Sequence, residues 1–188
     1  MVLITKKSKR CNDMVKLRFL ITSLSGGGAE KALINVLKQL DPTEYQVSIT
    51  ALFGGVYANK IPDYVNRKII FKKNNLLCRL LIKLPPKLLA WFFLRGNYDF
   101  EVAYLEGWPT KVVAALHTNA QKIAFVHCDI SVRNPLQKLY RSKKTCLKEY
   151  KQYNTRSVLF PMTVNKGLRK LSGNLITLVL CITCKTTM

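Results

Sequence analysis

Residues 16–24, Lys-Leu-Arg-Phe-Leu-Ile-Thr-Ser-Leu, form an apolar run dense in residues that suit a buried strand. After a glycine cluster, Leu33, Val36, Leu37 and Leu40 recur at the spacing of one helix face. Asp41-Pro42-Thr43-Glu44 stops that helix, and 45–52 reads as a second strand with partial alternation. Residues 53–66, with Gly54, Gly55 and Pro62, read as loop, and 67–72 as a short further strand. Segment 76–94 is apolar but interrupted by Arg79, Lys83 and Lys87 and broken by Pro85-Pro86, a pattern that predicts two short basic amphipathic helices. A strand over 98–105 ends in Glu106-Gly107, and Pro109 suits the first turn of a helix running to about His117. Residues 121–126 form another apolar strand, with His127-Cys128-Asp129 at its carboxyl end. Strands alternating with helices at this density predict an α/β fold, a doubly wound parallel sheet with helices on both faces.

In such sheets ligands gather outside the carboxyl ends of the strands. That rule places Glu106, His127 and Asp129 on one edge with the turn Ser25-Gly26-Gly27-Gly28-Ala29-Glu30-Lys31. Glycines there let the backbone take positive φ and let a ligand approach where a Cβ would block it. The helix start adds unpaired N–H donors. The turn lacks the G-x-G-x-x-G spacing of dinucleotide sites and the Lys-Ser or Lys-Thr of a triphosphate loop, so neither ligand class is indicated. A tight structural connection is the plainer account of three glycines, as a solvated ion pair is for Lys31. His117 has no partner in the sequence pattern and receives no role.

The chain has 188 residues, 48% of them hydrophobic and 22% charged, which argues for a folded domain. Its charge is lopsided: 31 Lys and Arg against 10 Asp and Glu give +21, a surface that attracts anions such as phospholipid, nucleic acid or a phosphorylated substrate. Against nucleic acid, no reader motif is present, and the aromatics lie in apolar runs rather than between cations. Segment 76–94 contains no acid and admits two readings. It packs on its own domain with the cations of Arg79, Lys83 and Lys87 solvated, or it lies in a membrane interface among anionic headgroups. No run reaches the roughly 20 apolar residues of a spanning helix, and 1–5 is too short for a signal-peptide core. The six cysteines fall at irregular positions, which fits reduced thiols and a cytoplasmic setting. Cys181 and Cys184 supply half a zinc site at most, so no metal or other cofactor is expected.

Three ordered motifs, Ser25 to Lys31, Tyr98-Asp-Phe-Glu-Val-Ala-Tyr-Leu-Glu-Gly107, and Ile123-Ala-Phe-Val-His-Cys-Asp129 followed by Tyr140-Arg-Ser-Lys-Lys144, resemble the amino-terminal domain of retaining GT-B glycosyltransferases. The likeness is to the bacterial family-four enzymes that build capsular and other surface polysaccharides, and it covers about residues 16–154. In that family two Rossmann-like lobes face each other across a cleft, the first holding the acceptor and the second the nucleotide-sugar donor. The resemblance implies that Gly26, Gly27 and Gly28 approach the donor phosphates or the transferred sugar. It sets His127 beside the reacting sugar as the catalytic group, with Glu106 and Asp129 orienting acceptor hydroxyls. Glycan or lipid-linked acceptors are the implied partners, which agrees with peripheral contact at the inner face of the plasma membrane. The alternative is a basic module that binds anionic membrane without transfer chemistry.

The expected organisation is a basic lead-in over 1–15, an acceptor-side lobe over 16–155 and an aberrant tail over 156–188. After Tyr150 there is not one acid, and the motifs of a donor lobe are missing from the tail. Codons for 160–167, regrouped by one base, permit a polar, lysine-containing segment like the family's next strand end and helix. The expectation is a frameshift near Thr155 or Arg156 that leaves this chain inactive alone.

Overall fold

The computed structural model describes residues 14–72, 76–127, 143–153 and 155–158. Six strands form one sheet: β1 (Val15–Ser23), β2 (Tyr45–Phe53), β3 (Asn66–Phe71), β4 (Phe100–Ala103), β5 (Gln121–Val126) and β6 (Thr155–Val158). Every neighbouring pair is parallel, and the strand order is β3-β2-β1-β4-β5-β6. This is a Rossmann-like doubly wound arrangement, with the direction of winding reversing between β1 and β4.

Alternation along β1 sends its side chains to two separate cores. Leu17, Phe19 and Ile21 join Val47, Ile49 and Ala51 of β2 beneath Leu33, Ile34 and Leu37 of α1 (Gly28–Gln39). Leu20 faces the other way, with Ala103 of β4 and Ala124 of β5. There it meets Leu89 and Ala90 of α3 (Pro86–Phe93) and Val112 and Val113 of α4 (Trp108–Ala115). The small alanines let the helices approach closely. Tyr153, after α5 (Lys143–Tyr150), closes this second layer by donating from its hydroxyl to the Thr110 carbonyl at 2.6 Å.

Local chemistry sets the element ends. At the stop after α1, Asp41 Oδ1 accepts from the Thr43 amide at 2.8 Å and the Thr43 hydroxyl at 2.6 Å, and these bonds hold its carboxyl below the usual range. Tyr64 donates to the Leu37 and Leu40 carbonyls at the helix end, where Leu37 also accepts from the Leu40 amide. The basic apolar segment divides as its prolines require, into α2 (Leu76–Ile82) and α3, with Pro86 in the first turn of the second. β4 is shorter than the expected 98–105, although its flanks stay bonded to the neighbouring strands: the Asp99 amide donates to the Lys16 carbonyl at 2.9 Å and the Tyr104 amide to the Leu20 carbonyl at 2.8 Å. β6 runs across the expected boundary at 155, pairing Thr155 with Ile123 and Val158 with Val126. Among the described residues, no helix is long and apolar enough to cross a membrane.

Candidate functional site at the carboxyl edge of the sheet

The reversal point of a doubly wound sheet leaves a crevice between two strand ends whose loops diverge to opposite faces. Here those strands are β1 and β4. The first leads into the glycine turn and the second into Glu106-Gly107, while His127 directly follows β5, the next strand.

The glycines of the turn differ in what requires them. Gly26 has φ +119°, a backbone conformation that side-chain-bearing residues rarely adopt. A Cβ on Gly27 would stand 2.5 Å from Oε2 of Glu30, whose flexible carboxylate folds back over this position and would have to shift. A Cβ on Gly28 would meet nothing within 4 Å; this exposed position opens onto free space. The loop after β2 holds the turn from behind. Gly55 lies against the Leu24–Ser25 backbone so closely that a Cβ would come within 2.3 Å of the Leu24 carbonyl oxygen, and the Tyr57 amide donates to that oxygen at 3.0 Å.

The first helical turn departs from the ion-pair expectation. Glu30 is only 7% exposed and accepts from the Ser23 hydroxyl at 3.4 Å, while Lys31 stands in solvent. Ser23 in turn shares a 2.9 Å hydrogen bond with Ser25. A carboxylate and two hydroxyls therefore line the glycine turn.

On the neighbouring strand end, Gly107 takes φ +97° and ψ −117°, open to glycine alone, and its amide donates to Thr110 Oγ1 at 3.0 Å. This sharp exit turns Glu106 toward β5, where its Oε1 accepts from the His127 backbone amide. The His127 ring lies 4.8 Å from the ring of Tyr104, which is buried between Phe19 and Phe125 and kept protonated by that burial. The imidazole is hydrogen-bonded to the Tyr104 backbone, and its buried Nε2 has no partner among the described residues, which assigns the bond to Nδ1. Nδ1–H donation fixes the tautomer and leaves Nε2 as an acceptor.

Burial lowers the His127 pKa; Glu106, the Tyr104 backbone bond and Glu30 oppose that shift in this order. The ring is thus neutral at neutral pH, in the field of two carboxylates. Of the groups opposing the shift, Glu30 acts most weakly. A second buried donor without a partner among the described residues is Trp108 Nε1, at the start of α4, whose ring packs against the second core rather than beside Tyr104. Orphaned polar atoms of this kind call for a ligand or water.

The structure brings Glu106 and His127 into contact and places Gly26, Gly27 and Gly28 after β1 on the same sheet edge, and Asp129 lies outside the described residues. Glu30 and Trp108 were missed by sequence reasoning. The register of Glu30 on the buried side of α1, beside Leu33, Ile34 and Leu37, was the available signal for the first. Of the basic residues in 76–94, Lys83 and Lys87 are exposed and distant in sequence from this edge; Arg79 belongs to α2, and its side chain lies outside the described ones. Cys128, Cys181 and Cys184 also lie outside the described residues.

A separate cavity of about 700 Å³ sits at the opposite, amino-terminal edge, between the loops before β4 and β5. Its charged lining is already engaged. Arg18 donates through Nε to Glu101 Oε2 at 2.8 Å and through Nη2 to Oε1 at 2.5 Å, with both side chains almost wholly buried.

No family model matches this chain, and no curated protein matches it either. The class defined by the fold is an α/β domain of Rossmann-like topology, with Glu106 and His127 in contact at the carboxyl edge of its sheet.

Proposed function

We propose that this lobe is the acceptor-binding half of a retaining glycosyltransferase of the GT-B type, serving surface polysaccharide synthesis, whose donor nucleotide-sugar is gripped by a second lobe. The observation that carries the reading is the contact of Glu106 with a neutral His127 at the carboxyl edge of the sheet, the edge to which the glycine turn also belongs. Sugars are recognised through hydroxyls, which both donate and accept, and the crevice offers groups of each kind. His127 Nε2, which has no partner among the described residues, accepts from a sugar hydroxyl. Glu30, missed in the sequence, accepts beside the glycines. Gly26 to Gly28 give a bound sugar or phosphate room to approach the backbone, and the amides at the start of α1 favour an anion there. In this reading the lobe contributes orientation and hydrogen bonding, while the diphosphate is handled by the second lobe.

The reading is tested by ligand-observed NMR on the full chain with a panel of oligosaccharide acceptors and nucleotide-sugars, repeated with His127→Ala and Glu30→Gln. The expected result is weak binding of at least one acceptor, reduced about tenfold by His127→Ala through loss of one hydrogen bond. Absence of sugar binding, or binding that both substitutions leave unchanged, would overturn the proposal.

A further inference from the structure

The helical segment before β4 carries a surface that the crevice does not use. At about 100° per residue, Leu89, Ala90, Phe93 and Leu94 fall on one side of α3, and the first two of these and Leu94 are buried in the second core. Lys87, Leu88, Trp91 and Phe92 fall on the other. Leu88 is 45% exposed, Trp91 61% and Phe92 53%, with Leu80 of α2 at 66%. Helix α3 is therefore apolar on both faces, one packed and one bare.

The bare face is ordered and rimmed by cations. Trp91 and Phe92 meet edge to face with centroids 4.7 Å apart, and the Arg95 guanidinium lies 5.4 Å from the Trp91 ring. Lys83, in the turn joining α2 to α3, and Lys87 are exposed. From Asp63 to Asp99 the chain contains no acidic residue between those two ends. Water gives no reason to expose a Trp-Phe pair, and an acid-free rim repels any basic partner. An anionic bilayer satisfies both features: aromatic rings settle at the headgroup level, and lysines lie among phosphates.

We infer that the α2–α3 face, through Leu80, Leu88, Trp91 and Phe92 with Lys83 and Lys87, seats the protein on the surface of an anionic phospholipid membrane. This surface is separate from the crevice and stands whether or not the sugar-transfer reading holds.

The test is flotation of the full chain with vesicles of phosphatidylcholine alone and of phosphatidylcholine with phosphatidylglycerol. Trp91 emission is followed in parallel, and Trp91→Phe identifies its share of the signal. Recovery with the anionic vesicles and a blue shift of Trp91 are expected. The double change Lys83→Gln with Lys87→Gln weakens binding about 30-fold, as the loss of two lysines near an anionic surface requires. Trp91→Ala with Phe92→Ala weakens it independently. All four side chains are exposed, so circular dichroism should remain that of the parent in each variant. Equal recovery with neutral and anionic vesicles, or unshifted Trp91 emission, would overturn the inference. So would a concentration-dependent dimer that Trp91→Ala with Phe92→Ala abolishes in the absence of vesicle binding, which assigns the face to a second copy of this chain.

Discussion

His127 is the residue on which the site's chemistry can be read directly. Its pKa is lowered by burial, so the unfolded chain binds the proton more readily than the folded one. The stabilising contribution of the neutral ring is therefore complete above the unfolded value near 6.5 and is lost as pH falls toward and through the folded value. Unfolding midpoints measured from pH 7 down to 5 should fall more steeply for the parent chain than for His127→Gln, which has no proton to gain. A direct titration is equally accessible, because the chain has only two histidines. Glu30 and Glu106 both raise the proton affinity of His127, so Glu30→Gln should move its NMR titration midpoint lower still. Gly27→Ala should move the midpoint without removing a charge, since its new Cβ displaces the Glu30 carboxylate. An unchanged midpoint in both variants would show that the glycine turn and the β5 end are not coupled.

Among the elements, β1 and β4 join in a way that their sequences only half disclose. Leu17, Phe19 and Ile21 announce a buried strand, and the break at Pro85-Pro86 announces two helices, because local pattern and local stereochemistry decide both. Arg18 and Glu101 give no such local signal: each is a lone charge in an apolar run, and only the register Arg18↔Glu101 makes them partners. Burial pushes the Glu101 carboxyl up despite Arg18 and Lys122, so desolvation outweighs the attraction it receives. A buried pair of this kind does little for net stability, while removal of one partner strands the other. Glu101→Leu alone should destabilise the fold by about 3 kcal/mol in urea unfolding. Arg18→Met combined with Glu101→Leu should cost less than either single change, and additive losses would exclude coupling across these strands.

For the whole molecule, strand order ranks local stability as well as locating the crevice. The alternation of strands and helices made the fold class legible, and strand ends followed by Gly26, Glu106 and His127 made much of the site legible with it. What could not be read was depth. Glu30 looks like any first-turn acid, and Trp108 like any helix-start aromatic, until the sheet brings β1, β4 and β5 side by side. Depth also decides which amides open first. β1 lies between β2 and β4 with both faces covered, and Leu17, Leu20 and Ile21 are wholly buried. β3 is an edge strand whose first three residues, Asn66, Arg67 and Lys68, are exposed. Opening an edge strand uncovers little apolar surface, whereas opening β1 dismantles both cores. Native-state hydrogen exchange should therefore be slowest across 17–21 and its partners 47–51, reporting global unfolding, and fastest across 66–68. Addition of an acceptor glycan should slow exchange at the turn after β1 and at 106–107 while leaving 66–68 unaffected, because ligand binding at the switch point stabilises the strand ends that form it and does not reach the far edge. Protection that instead rises at β3 would locate the binding surface away from the crevice.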